Sequence, residues 1–386
     1  MSIEPLFSGI MIRKNIFGAM LLAIICSLSS CIREEALNAE CDVLPTGAKW
    51  TNDNNHLNGE VNVKNNEIIF IVKKETDLEK IPEPVIAFEL TPGARIEKDS
   101  TKRNKDGILQ YYTTYSEDGN WSKQYIAKFI KLPPLDEDHI FSFEHFEFNP
   151  ASNYYVWHEI NNQGIRSDLW ASGNAGFKFT GKGKNPDDFP TTIEENGKRG
   201  NCIKLTTCDT GSFGKMAGMP IAAGNLFIGE FQTANAMKKP LEATRFGMNI
   251  APKKPAYLIG YYKYTPGEIF TDKEKNPVEW HRDTCAIYSV LYEIDPNGFV
   301  SLDGSNVTSS ERIVLIAEIE SPGEPDQWTE FKVPFKPMNN NVFDPERLAN
   351  NGYAFTIVAS SSKNGAFFEG AVGSTLYIDE LSIIWE

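Results

Sequence analysis

The sequence predicts an all-β chain, with an immunoglobulin-like β-sandwich over residues 42–134 and a larger jelly-roll-like β-sandwich over residues 135–386. Three observations carry this. Short apolar or alternating runs such as Glu67–Lys73 recur with the two-residue period of a strand. Gly, Asn and Pro separate the runs, as turns require. The 3.6-residue period of an amphipathic helix is nearly absent, and one helical turn is signalled, at Asp344-Pro345-Glu346-Arg347-Leu348, with Asp as N-cap and Pro at the first helical position.

Taken in order, Arg13 and Lys14 precede the apolar run from Ile16 to Leu28, and Ser29-Ser30 lead into Cys31. Together they read as the regions of a signal peptide over residues 1–30. The apolar run is shorter than the ~20 residues that a spanning helix needs. Leu28-Ser29-Ser30-Cys31 resembles the bacterial lipobox, which implies cleavage before Cys31 and a diacylglycerol on its thiol. An ordinary secretory signal with an incidental Cys31 is the plainer alternative. No Asp follows Cys31 to signal retention in the inner membrane, and Glu34-Glu35 resemble the acidic tether of surface-displayed lipoproteins in Bacteroides-type bacteria. Residues 31–41 are therefore expected to be a tether, and the mature chain to be lipid-anchored in the outer membrane and exposed at the cell surface.

Val61–Lys64, Glu67–Lys73, Val85–Leu90 and Ile108–Tyr115 read as strands. Glu117-Asp118-Gly119-Asn120 marks a hairpin, because Asp-Gly tolerates the positive φ of a tight turn, and Gln124–Ile130 returns with Tyr125, Ala127 and Phe129 on one face. About seven strands in about ninety residues fit an immunoglobulin-like sandwich. Pro133-Pro134 and the acidic Asp136-Glu137-Asp138 break the pattern and mark the linker. Beyond Phe141 the strands resume. Ile313–Glu320 places Ile313, Leu315, Ala317 and Ile319 on one face, and Tyr353–Ser362 and Leu376–Trp385 look similar, as in a jelly roll with elaborated loops.

Without residues 1–30, 36 basic residues stand against 51 acidic ones, a net charge of −15. Such a surface repels nucleic acid and anionic lipid and favours neutral partners. Cys41, Cys202, Cys208 and Cys285 remain after Cys26 and Cys31 are accounted for. In an extended strand Cys202 and Cys208 would lie ~20 Å apart, too far for a disulfide unless the chain turns, and their spacing fits no zinc template. Buried free thiols are the default. The sequence has no Gly-x-Ser-x-Gly, no phosphate-cradling loop and no His-Glu-x-x-His.

Several blocks are less generic: Trp170-Ala171-Ser172-Gly173-Asn174-Ala175-Gly176-Phe177, Ala222–Gly229, Arg245-Phe246-Gly247, Gly260-Tyr261-Tyr262-Lys263-Tyr264-Thr265-Pro266-Gly267 and Phe368–Glu380. In this order they resemble the PCMD domain, the putative carbohydrate metabolism domain of Bacteroides-group lipoproteins, over residues 141–386. Phe88–Ala94 and Tyr115–Gly119 resemble the immunoglobulin-like module that precedes it. The resemblance implies a two-domain β architecture and a link to glycans, and it brings no established catalytic set.

On strand parity Tyr261 and Lys263 share one face and Tyr262 and Tyr264 the other. On a groove, Tyr261 could stack on a sugar and Lys263 could donate to its hydroxyls; the plainer reading pairs Lys263 with a carboxylate such as Asp283. Trp170, with Asn174 four residues on in a loop of small residues, is a candidate glycan platform or else a plug in the end of the sandwich. Asp283, Glu293 and Glu369 are the carboxylates weighed for a glycosidase pair. Asp283 and Glu293 would lie ~33 Å apart on an unbroken strand, so they cannot be one dyad. Glu144 and Asp379, near the first and last strands of the second domain, are candidate ligands of a structural Ca2+, by analogy with carbohydrate-binding jelly rolls; an acidic edge without metal is the alternative. The functional expectation is a cell-surface protein that binds a glycan or glycoconjugate. A glycoside hydrolase and an adhesin or envelope component are the rivals.

Overall fold

A computed structural model describes residues 37–386, apart from 54–55, 58–60, 65, 73–75, 79, 100–107, 132–136, 163, 165, 234, 248, 295–300 and 351. The signal peptide, the lipidation of Cys31 and the Pro133-Pro134 break lie outside the described residues. The chain is all-β, with helices confined to single turns and short segments.

The N-terminal unit has seven strands among the described residues: Val43–Trp50, Asn62–Lys64, Glu67–Val72, Ile86–Leu90, Arg95–Asp99, Ile108–Tyr115 and Ser122–Lys131. Val43–Trp50 pairs with Ile86–Leu90 and the other five form a second sheet, in which Glu67–Val72 runs parallel to Ser122–Lys131. The two-residue period sends Ile68, Phe70 and Val72 inward to meet Tyr125, Ala127 and Phe129. Phe70 stacks on Phe129 at 4.5 Å, and Trp50 closes the cluster edge-on at 4.9 Å. The Asp-Gly turn forms as the sequence predicts: Gly119 sits at φ 71° and the Asp118 carboxylate accepts the Asn120 N–H at 2.9 Å.

The C-terminal unit is a sandwich of two sheets. One has the order Thr191–Glu194, Cys202–Thr206, Thr375–Trp385, Pro255–Thr265, Thr329–Pro334, with Ile140–Phe141 added against Thr375–Trp385. The larger has the order Leu302–Asp303, Thr244–Phe246, Asn225–Phe231, Tyr353–Ser360, Ala286–Glu293, Ile313–Glu318, Lys336–Pro337, and also takes in Trp170–Ala171 and Asn249–Ile250. Leu258, Tyr262, Tyr264 and Ile378 of the first sheet belong to one core with Ile287, Leu291, Phe355 and Ile357 of the second. Each such fully buried side chain contributes roughly 1.5–3 kcal/mol. The opposite face of the larger sheet carries a second cluster that includes Phe227, Phe246, Tyr288, Tyr292 and Val358. Its central strands are thus buried on both faces, which is why Ala286–Glu293 and Tyr353–Ser360 read as continuous apolar runs.

One parity expectation needs correction. Leu315 and Ala317 lie in the inter-sheet core with Ile319 packed against it, but Ile313 lies in the outer cluster. Leu291 pairs with Leu315 and Tyr292 with Ile313, so Val314 is an extra residue and the bulge reverses the alternation. The predicted helical turn is Pro345–Ala349, with the Asp344 carboxylate accepting the Glu346 N–H at 2.9 Å. Cys41, Cys202, Cys208 and Cys285 are free thiols.

Candidate functional site

The site starts from the alternation of the Pro255–Thr265 strand. Leu258, Tyr262 and Tyr264 are buried in the core, and Tyr257, Ile259, Tyr261 and Lys263 take the outer face of the sheet, the parity expected from sequence. Register brings their neighbours. Lys263 lies opposite Tyr377, and its ammonium sits 4.6 Å from the Tyr377 ring centre and 4.8 Å from that of Trp328. Tyr261 lies between Asp379 on one neighbouring strand and Glu330 on the other. Lys332, on the strand of Glu330, holds its ammonium 4.4 Å over the Tyr257 ring. A third lysine, Lys198, stands 4.8 Å over Tyr261. One sheet face therefore presents three lysines on four rings, contacts worth roughly 0.5–2 kcal/mol each. Among the described residues none of the three lysines forms an ion pair.

Lys198 arrives from a loop, residues 195–201, that folds over this face. Two carboxylates hold the loop. Asp379 accepts the Arg199 N–H at 2.9 Å, and Glu144 accepts both the backbone and side-chain N–H of Asn201, at 2.8 and 2.6 Å. Close approach requires glycine at Gly200, which sits at φ 63° and where a Cβ would stand 2.0 Å from the Glu144 carboxylate. Burial pushes the Asp379 carboxyl up to about 6, although the Arg199, Glu380 and Lys198 N–H groups pull the other way. Next to it Glu380 adopts φ 52° at a bulge in the sheet and faces Arg199 at 3.4 Å. Beside Tyr261 the surface dips into a groove of about 730 Å3, whose walls include Glu330, Glu380, Ile140 and Trp385.

Of the sequence candidates, Tyr261 and Lys263 come together here. The pairing of Lys263 with Asp283 does not form, because Asp283 is buried elsewhere and accepts from Ser362, Ser374, the Ala371 N–H and the Thr284 N–H at 2.6–2.9 Å. That arrangement ties three loop segments together, and burial holds the Asp283 carboxyl above its usual range. Glu369 is half-buried and accepts from Asn364 at 3.3 Å. Trp170 takes the plug reading and leaves the stacking platform without its ring: it is 7 % exposed, edge-on to Phe141 at 5.1 Å, and donates from its indole N–H to Glu159 at 2.6 Å. Asn174 is fully buried and exchanges two hydrogen bonds with the Thr191 backbone, at 2.7 and 3.0 Å, in the manner of a strand partner. Glu144 and Asp379, the candidate Ca2+ ligands, accept hydrogen bonds from the 195–201 loop. Among the described residues no group of three or more His, Cys, Asp or Glu is placed to hold a metal.

Sequence reasoning missed Lys198, Tyr257, Lys332, Glu330 and Glu380. Tyr257 was legible, since it continues the parity of Tyr261 and Lys263 along one strand. The others reach the face through cross-strand register or a loop crossing, which local pattern does not encode.

A family model described as "Putative carbohydrate metabolism domain" matches residues 142–384. The chain is similar to a solved structure described as a putative glycoside hydrolase from Bacteroides thetaiotaomicron VPI-5482. The two are 40% identical, the match covers 92% of this chain and 99% of that one, and the TM-score is 0.77. A second structure, described as a putative glycoside hydrolase from Bacteroides vulgatus ATCC 8482, is 41% identical over 64% of this chain and 98% of that one, with a TM-score of 0.59. No curated protein matches the chain.

Proposed function

We propose, from the premise that the chain belongs to the putative carbohydrate metabolism domain family, that it binds a glycan or glycoconjugate on the outer face of its six-stranded sheet. The observation that carries the reading is the ladder of Lys198, Lys263 and Lys332 over Tyr257, Tyr261, Trp328 and Tyr377. A sugar ring offers an apolar C–H face to an aromatic and a belt of hydroxyls to hydrogen-bond donors, and this face supplies both. Lysines without carboxylate partners are free to donate, and they also soften the repulsion that the net charge of −15 imposes on acidic sugars. The beginning of the sequence supports a tether through lipidated Cys31 in the outer membrane, which would present the sandwich at the cell surface; Cys31→Ser should abolish lipid labelling, and unchanged labelling removes the anchor from the proposal.

Calorimetry against a glycan panel tests the site. Tyr261→Ala and Lys263→Ala should each weaken binding about tenfold while the melting temperature shifts by no more than a few degrees, because both side chains stand outside the core. Unchanged affinity in both variants moves the ligand to another face.

Hydrolysis is the second reading, supported by the description of both structural neighbours and by Asp379, a carboxyl held near 6 beside the groove carboxylates Glu330 and Glu380. A glycosidase needs one protonated and one ionised carboxyl, the separation that such an environment promotes. If the protein releases reducing ends and Glu380→Gln or Glu330→Gln abolishes release without changing affinity, this reading replaces simple binding.

A further inference from the structure

On the far face of the nine-stranded sheet, across the sheet from the sandwich core, lies an apolar cavity of about 200 Å3. Its floor is formed by Phe227, Phe246 and Tyr288 of the sheet, and Phe177 and Ala236 come from the segments that cover it. Small residues, Ala223, Ala243 and Ala286, line part of its wall. Protein interiors are otherwise close-packed, and an apolar cavity of roughly 150 Å3 is enough to stay dry and take up a benzene ring. The mouth is apolar as well, since Phe179, Phe213 and Met237 line it and remain 48 %, 43 % and 41 % exposed.

Polar residues enter this lining too: Thr180, Thr210, Thr244 and Ser360 donate to backbone carbonyls, Asn225 accepts the Gly173 N–H, and Lys363 donates to Glu318. Tyr288 is 8 % exposed, and among the described residues its hydroxyl has no hydrogen-bond partner. Its atoms belong to the cavity wall, and the register places it opposite Glu318, whose carboxylate is taken by Lys363 at 2.7 Å. That hydroxyl is therefore available to hydrogen-bond a ligand's polar atom within the cavity.

We propose that the cavity is a binding site for a small amphiphile, a single six-membered ring bearing one hydroxyl or carbonyl group, with the ring among Phe177, Phe227 and Phe246 and the polar group on the Tyr288 hydroxyl. The volume fits a substituted ring, and the Tyr288 hydroxyl, which carries no protein hydrogen bond among the described residues, offers that ring one polar partner. The site is independent of the lysine-bearing face, so either assignment can fail without the other.

The test titrates the full-length protein with p-cresol, toluene and 1-octanol, read by calorimetry and thermal shift. Both ring compounds should bind and raise the melting temperature, p-cresol more tightly. Tyr288→Phe should leave toluene unchanged and weaken p-cresol roughly three- to tenfold, the size of one neutral hydrogen bond. Ala286→Leu, which fills the cavity from the floor, should abolish binding of both; Ala236→Leu, from the cover, serves if the first variant does not fold. The proposal is overturned if neither ring compound binds at millimolar concentration, if a folded filling variant binds as tightly as the natural protein, or if Tyr288→Phe weakens both ligands equally. Tighter binding of 1-octanol than of either ring overturns the assignment of a ring.

Discussion

At the scale of single residues, burial decided which sequence candidates could meet a ligand. Trp170, Asn174 and Asp283 are all polar or aromatic groups in Gly-rich or loop segments, the environment in which recognition residues concentrate, yet each is buried and satisfied by protein partners. Sequence cannot separate the two outcomes, because a buried polar group that staples loops and an exposed one that binds ligand carry the same residue types. Asp379 yields a measurable consequence. Its carboxyl titrates near 6 in the folded chain, above the 3.8 of an exposed aspartate, so the folded state binds the proton more tightly than the unfolded state. The stabilisation from this proton is complete below about pH 4 and is lost as pH rises through 6. The expected loss is about 1–2 kcal/mol once residual hydration of the carboxylate is allowed for. Denaturant unfolding between pH 4 and 7 measures it, and Asp379→Asn should remove that pH-dependent increment whatever its effect on absolute stability. An unaltered pH profile in the variant would assign the titration to another group.

At the scale of elements, strands and their faces were legible wherever one side is core and the other solvent. The Pro255–Thr265 strand follows the two-residue period from Tyr257 onward, and the strand after the hairpin turn follows it from Gln124 to Phe129. The period fails at Ile313, where a bulge inserts Val314 and reverses the alternation, because a bulge is fixed by the partner strand as much as by its own sequence. The loop over residues 195–201 was invisible for a related reason: its fold depends on Asp379 and Glu144, which arrive from distant parts of the chain. Gly200 offers a lever on that loop. Gly200→Ala places a Cβ against the Glu144 carboxylate in a backbone conformation that disfavours side chains, and should cost about 1–2 kcal/mol. If the loop must hold Lys198 over Tyr261 for recognition, the same variant should weaken glycan binding by a factor of roughly three to ten, with the Pro255–Thr265 strand intact by hydrogen exchange. Lost stability with full affinity would reduce Lys198 to a bystander.

At the scale of the whole molecule, the all-β class followed from the two-residue period and the turn residues, and the Pro133-Pro134 break is the ground for expecting two units. How the larger unit distributes its surfaces did not follow from them, because the larger sheet has apolar clusters on both faces and the smaller sheet keeps one face for lysines and aromatics. The cores of the two units predict that each folds independently. The cluster formed by residues between Val43 and Phe129 shares no member with the clusters formed between Phe141 and Ile383, so neither half needs the other to bury its apolar side chains. A fragment beginning at Asp136 should therefore melt in one cooperative transition, with near-ultraviolet circular dichroism that reports fixed aromatic packing. It should also keep the glycan affinity of the full chain, since Tyr257, Tyr261, Lys263, Trp328, Lys332, Tyr377 and Lys198 all lie within it. A fragment that binds an apolar dye and melts without cooperativity, beside a full chain that melts sharply, would mean that the two units stabilise each other through a shared surface and that residue 135 is not a boundary between independent folds.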